Sequence, residues 1–265
     1  MLTLEAVAYR YAGAPRPSLQ AIDLTVNDGE VVGLVGASES GKTTLCLVAS
    51  GLAPRSIGGT LAGRLLLDSA HLGPERPMHE IAALVGICFQ NPATQLSQVS
   101  DTVFEEVAFG ALNLGLERDE VVRRTHTALD ALQITDLGSR DPRRLSGGQL
   151  QLVAVAGLLA MSPSHLVLDE PTAQLDPEGK GLVADALARL AERGTAMLIA
   201  EHDTDLLGRL CSRVVALVAG RMALSGPAEA VLTDPRLVEL GVEPPARVRL
   251  QSALAAAGIS VELPA

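Results

Sequence analysis

Residues 30–51 read EVVGLVGASESGKTTLCLVASG. A short apolar run ends at a glycine, a polar segment closes on Gly41-Lys42-Thr43, and an apolar, helix-like run follows. Gly36 to Thr43 satisfies the spacing G-x-x-x-x-G-K-[ST], in the strand-before, helix-after setting that such a loop requires. Glycines let the backbone wrap a phosphate, and successive N–H groups at a helix N-terminus supply positive potential. Gly36, Ala37, Ser38, Glu39, Ser40, Gly41, Lys42, Thr43 and Thr44 are therefore expected to bind a nucleotide. Lys42 would reach its β- and γ-phosphates, and Thr43 would ligate Mg²⁺.

Other short apolar runs occur at Val85–Phe89, Leu166–Leu168, Met197–Ala200 and Val214–Leu217. Each has the length of a fully buried strand, and helical segments separate most of them. This pattern predicts a parallel α/β sheet covered on both faces. Ligands of such sheets bind outside the carboxyl ends of the strands. Polar residues follow several strands there: Ser38 to Thr44, Gln90, Asp169 with Glu170, and Glu201 with His202. Before the loop, Leu4–Tyr11 and Leu19–Val26 read as an antiparallel flap joined by a Gly/Pro turn. A helical lobe over about 92–161 is expected to be inserted in the strand rhythm. The chain then divides into 1–225 and a helical tail, 226–265. In that tail Asp234-Pro235 starts one short helix, and Pro244-Pro245 precedes another that stops at Gly258.

Composition excludes several classes. The 265 residues carry 21 basic and 31 acidic side chains, a net charge of −10. A partner held by phosphate contacts would want a basic face, so no nucleic acid is expected. The longest apolar run, Leu152–Met161, is far short of a bilayer span. MLTLEAVAYR has no basic region followed by an apolar core, so no secretory signal is expected. Cys46, Cys88 and Cys211 are scattered among apolar neighbours and read as buried thiols of a reducing compartment.

Two further motifs carry chemistry. Asp169-Glu170 ends a buried strand, where two acids are costly unless a cation offsets them. Asp169 would hold Mg²⁺, and Glu170 would orient or deprotonate an attacking water; the alternative is an acidic cap for the next helix. Leu145-Ser146-Gly147-Gly148-Gln149 precedes an apolar helix. Ser146 can cap that helix, and the two glycines bare backbone N–H groups at some cost in helix stability, which suggests a ligand.

With LSGGQ the sequence resembles the ATP-binding cassette (ABC) ATPases, over about residues 2–225. The resemblance implies a P-loop NTPase sheet and a set of roles. Gln90 matches the glutamine that contacts Mg²⁺ and the attacking water. His202 matches the switch histidine that reaches the γ-phosphate. Asp176 lies in the D-loop and is also a good N-cap before Pro177. Tyr11 is preferred to Tyr9 as the adenine-stacking aromatic. One departure stands out: most such loops have glycine where this chain has Glu39. A carboxylate there either points to solvent at little cost, or weakens ATP binding or makes two sites unequal.

Signature glycines complete a partner's site, so a second ABC ATPase subunit, self or paralogue, is implied. Two ATP molecules would be sandwiched head to tail. From Gln90 the chain reads QNPATQLSQVSDTVFEEVAFGALNLGL. This resembles the energy-coupling-factor (ECF) ATPases, which power uptake of vitamins and of cobalt or nickel ions; residues 96–102 depart from the commonest version. The resemblance implies a transmembrane coupling subunit, a substrate-binding membrane subunit, and a peripheral place on the cytoplasmic membrane face. Phe104 and Phe109 lie where a coupling helix would dock, or else pack the lobe. ATPases of other ABC importers, soluble ABC ATPases and a binding module without hydrolysis are the rival readings.

Overall fold

The computed structural model describes residues 1–73 and 75–257. In chain order the elements are β1 (Leu2–Arg10), β2 (Leu19–Val26), β3 (Val31–Val35), α1 (Lys42–Ala49), α2 (Leu52–Arg55), β4 (Thr60–Leu67) and β5 (Ala70–His71). There follow α3 (Met78–Ala82), β6 (Val85–Cys88), α4 (Val103–Asn113), α5 (Arg118–Ala131), α6 (Gly147–Met161), β7 (His165–Asp169) and α7 (Pro177–Glu192). The last are β8 (Ala196–Ala200), α8 (Thr204–Leu210), β9 (Arg213–Val218), β10 (Arg221–Pro227), α9 (Ala228–Leu232), α10 (Arg236–Glu239) and α11 (Ala246–Ala256).

The main sheet has the order β10-β9-β3-β8-β7-β6. The four pairings that link β9, β3, β8, β7 and β6 are parallel, so these five strands deliver their carboxyl ends to one edge; β10 joins antiparallel to β9. Residues alternate across β3, and the alternation divides the core. Val31 and Val35 pack with α6, α7 and α8, whereas Val32 and Leu34 pack with α1 and the flap. The flap is a separate antiparallel sheet, β2-β1-β4-β5. Helix α1 sits between the two sheets, with Leu45, Cys46, Val48 and Ala49 all buried. That packing fixes the helix N-terminus directly beyond β3.

The helical lobe lies between Gln90 and β7. Helix α6 is buried on most of its circumference, as Leu152 to Ala156 and Ala160 show. It therefore joins the lobe to the sheet rather than presenting one apolar stripe. Phe104 packs inside the lobe against His126, with ring centroids 5.0 Å apart. Phe109 is 39% exposed and borders a groove with Leu158 and Met161. The two phenylalanines thus part ways: Phe104 is half-buried against the lobe's core, and Phe109 is the more exposed of the two.

Some elements differ from expectation. Strands β4, β5 and β10 have no fully buried apolar run to announce them: β4 buries only Leu65 and Leu67 at its end, and every residue of β5 and every second residue of β10 is exposed. Strand β10 runs across 225/226, the expected junction with the tail. The tail carries α9 besides the two expected helices, and α11 ends at Ala256. The expected stop at Gly258 lies outside the described residues. All three cysteines are free and buried. No helix among the described residues is long and apolar enough to cross a membrane.

Candidate active site

The loop after β3 folds back on itself because two glycines permit it. A Cβ on Gly36 would stand 2.4 Å from Ser40 Oγ and 2.6 Å from the Leu217 carbonyl. Gly41 caps α1 at φ +109°, a conformation that L side chains rarely adopt. Lys42, only 5% exposed, returns along the loop and donates from Nζ to the Gly36 carbonyl at 2.9 Å. Burial pulls its pKa below the ordinary lysine value, while the carboxylates of Glu170 and Asp169 oppose the fall. Ser38, Glu39 and Thr43 are exposed, Ala37 is half-buried, and Ser40 and Thr44 are buried.

Three neighbouring strands bring their polar ends to Lys42. From β7, Asp169 accepts from Thr43 Oγ1 at 3.2 Å. Asp169 is 5% exposed, and burial raises its pKa despite the Thr43 hydroxyl. Glu170, at φ +50°, turns back over the loop. Its Oε1 lies 3.0 Å from His202 Nε2 and 3.9 Å from Lys42 Nζ. Its Oε2 accepts from Gln90 Nε2 at 3.1 Å, and Gln90 follows β6 by two residues. The contact with Glu170 requires a proton on His202 Nε2, so the Lys42 protons are directed to the loop carbonyls and to whatever anion the loop holds. Strand β8 supplies His202, whose side chain is 51% exposed.

Ser38 to Thr44, Glu170 and His202 line an open cavity of about 860 Å³, together with Arg16, Ser18 and Gln20 of the β1–β2 turn and β2; Asp169 and Gln90 stand behind this lining, bonded to Thr43 and Glu170. Tyr9 is buried and donates its hydroxyl to the Gly58 carbonyl. Tyr11 is half-buried and lies 3.2 Å, hydroxyl to hydroxyl, from Thr44. Of the two tyrosines, Tyr11 is the one that reaches the loop, through Thr44; neither lines the cavity.

Thr43, Asp169 and Gln90 offer hard oxygen ligands, and the pair Thr43–Asp169 is close enough to share one cation. Among the described residues no cluster of three or more His, Cys, Asp or Glu is placed to hold a metal. That donor set fits Mg²⁺, which keeps waters and phosphate oxygens rather than filling a protein cage.

The LSGGQ segment does not line this cavity. Ser146 caps α6 in a reciprocal capping box with Gln149: its Oγ accepts from Gln149 N at 3.3 Å, and its N–H donates to Gln149 Oε1 at 3.2 Å. Leu145 is half-buried, and Ser146 and Gly147 are exposed. Gly148 has a reason of its own: a Cβ there would meet Gly179 Cα at 2.6 Å. Close packing against α7 thus explains one of the two glycines that sequence reading gave to a ligand. Asp176 accepts from Gly179 N at 2.7 Å and caps α7. Signature and D-loop adjoin each other and form a second polar surface, apart from the phosphate loop.

Sequence reading missed three participants. Gln95 clamps the Gln90 loop, accepting from Phe89 N and donating to Ile87 O, both at 3.1 Å. Arg16 lines the cavity from a turn with no motif. Glu201, next to His202, is buried and bonded to Thr172.

The ABC transporter family matches residues 19–173, which hold the phosphate loop, Gln90, LSGGQ and Asp169-Glu170. The chain belongs to the ABC transporter family. It is an ATP-hydrolysing transporter subunit. A putative ABC transporter ATP-binding protein of Pyrococcus horikoshii is 40% identical over 94% of this chain and 88% of its own length. The energy-coupling factor transporter ATP-binding protein EcfA of Enterococcus faecium is 35% identical, covering 98% of this chain and 91% of its own. Among solved structures, cbiO1 of Clostridium perfringens, part of the ABC transporter complex cbiONQ, superposes with a TM-score of 0.80. It is 31% identical and covers 97% of this chain and 98% of its own. The P-loop NTPase architecture expected from the motifs is the one observed, and the chain is similar to ECF-type ATPases.

Within this cassette Glu39 adopts φ +64°, and its side chain is exposed. A left-handed conformation costs a non-glycine residue about 1–2 kcal/mol, and glycine returns part of this as unfolded-chain entropy. Glu39→Gly is therefore expected to raise stability by about 0.5–1 kcal/mol, read as a higher denaturant midpoint at unchanged slope. Glu39 is exposed at the rim of the cavity, where water screens its carboxylate, so ATP affinity should change by less than about five-fold. A lower midpoint would contradict the strain, and a gain beyond about ten-fold in affinity would show the carboxylate facing the phosphates.

Proposed function

We propose that this chain powers an ECF-type importer of a vitamin or a transition-metal ion. It would act on the cytoplasmic face of the membrane as one of two paired cassettes. The observation that carries the catalytic part is the convergence of Lys42, Gln90 and His202 on the Glu170 carboxylate. The importer class is supported by the similarity to EcfA and cbiO1 and by the Gln90–Gln95 clamp within QNPATQL.

The loop amides and Lys42 bind the phosphates of ATP, and Tyr11 stacks on adenine. Thr43, Gln90 and Asp169 would hold Mg²⁺, whose role when bound is to offset phosphate charge. Glu170 takes a proton from the attacking water, held in place by Gln90 and His202. His202 then faces the γ-phosphate with its Nε2 proton. Ser146, Gly147, Gly148 and Gln149, flanked by Leu145 and Asp176, would cover the nucleotide of the partner cassette; their separation from this chain's own cavity supports that division. ATP binds the closed pair better than the open one, so hydrolysis reopens it. Phe109 and the exposed Leu112 offer an apolar groove on α4 to a transmembrane coupling subunit, which in turn would carry the substrate-binding membrane subunit.

Two outcomes check this reading. Glu170→Gln is expected to bind ATP normally and to lose about 10²–10⁴-fold in turnover, the usual worth of a general base. Unchanged turnover would move the base elsewhere. Native isolation from membranes should bring a second cassette, a transmembrane coupling subunit and a small substrate-binding membrane protein. Recovery with a different kind of importer, or on ribosomes or DNA, would contradict the ECF assignment.

A further inference from the structure

Glu201 is a carboxylate that the catalytic reading does not use. It is 2% exposed, and among the described residues no cation lies within salt-bridge distance of it. Its two oxygens instead accept three protons. Oε1 accepts from Thr172 N at 2.9 Å and from Thr172 Oγ1 at 2.6 Å. Oε2 accepts from His202 N at 3.0 Å. Its own N–H donates to the Leu34 carbonyl of β3 at 3.1 Å. A buried carboxylate with no ion pair at contact distance, its favourable charge being the more distant Lys42 ammonium, is a poor way to stabilise a fold, since an apolar side chain of similar volume serves as well or better. Its presence therefore calls for a reason in the geometry it imposes.

That geometry spans the reacting groups. Thr172 follows Glu170 by two residues, in the turn that leaves β7 with Glu170 at φ +50°. Glu170 N also donates to the Ala200 carbonyl at 2.8 Å, so the ends of β7 and β8 are already laced together. His202 has a half-exposed side chain that little else confines. The 3.0 Å contact from His202 Nε2 to Glu170 Oε1 thus depends on where the backbone places each residue. We propose that Glu201 is a positioning residue: by binding Thr172 and the His202 amide at once, it holds the general base and the switch histidine in register. The proposal rests on the assignment of Glu170 and His202 given above.

The chemistry requires a group that only accepts. Three donors converge on the two oxygens, and an ionised carboxylate meets all three. A glutamine at 201 has one oxygen and one NH₂. Whichever way its amide turns, a backbone N–H of Thr172 or His202 faces another donor and loses its partner. The register of the two loops is then set by chance contacts rather than by a bond.

The test compares Glu201→Gln, Thr172→Val, Glu170→Gln and His202→Ala in the full chain, assembled with the subunits that accompany it from membranes. Glu201→Gln is expected to lower kcat by about ten-fold while KM and ATP affinity stay within about two-fold and the melting temperature within a few degrees. Thr172→Val, which removes one of the three donors and keeps the carboxylate, should lower kcat by about three-fold with the same split. In the double variant Glu201→Gln/His202→Ala, the loss should fall well short of the product of the single losses, because both act through one contact. Wild-type kcat in Glu201→Gln, with Glu170→Gln inactive, overturns this proposal alone. So does a full multiplicative loss in the double variant, or a fall in ATP affinity and melting temperature that matches the fall in kcat. Full turnover in Glu170→Gln overturns the base assignment beneath it, a distinct result.

Discussion

A lysine ammonium buried at the start of a helix is the constraint from which the rest of the site follows. Lys42 is kept from water, which disfavours its charge, and three carboxylates lie close enough to favour it: Glu170, Asp169 and Glu201. None of the three comes from its own stretch of chain. They reach it because β3, β7 and β8 run parallel and end at one edge, with β6 adding Gln90. Only a parallel arrangement stacks the ends of four separate strands in this way, and its crossovers put helices on both faces. Three acids against one ammonium leave a surplus of negative charge, which the loop amides and a divalent cation are suited to offset when a triphosphate is seated.

Much of this was legible in the sequence, and the reasons are local. Strand β3 is a run of buried residues halted by Gly36, so both its limits and its role could be read; the glycines of the loop are demanded by contacts at Gly36 and by the left-handed cap at Gly41. Asp169, Glu170, Gln90 and His202 were visible because each comes at or just beyond the end of an unbroken apolar run. The flap strand β4 was not, since Thr60 to Arg64 are largely exposed and include Gly63. Periodicity reports burial, and the exposed first half of β4 hides the strand that Leu65 and Leu67 bury at its end.

What a residue faces is harder to read. Gly148, read as baring its N–H to a ligand, is also needed against Gly179, a neighbour 31 positions away that no spacing rule connects to it. Phe104 and Phe109 read alike, yet one lies within the lobe and the other at its surface. Glu201 read as one more polar residue at a strand end. That its oxygens meet Thr172 is a property of two loops brought side by side, not of either sequence.

The central claim is that the amides opening α1, with Lys42, form the seat of a triphosphate. Titration calorimetry with Mg-ATP on the wild-type chain and on Lys42→Ala tests it most directly. A saturable heat in the wild type and an affinity lower by at least about a hundred-fold in the variant are predicted, as expected for losing a desolvated, charge-assisted contact. Equal affinities in the two proteins would contradict it.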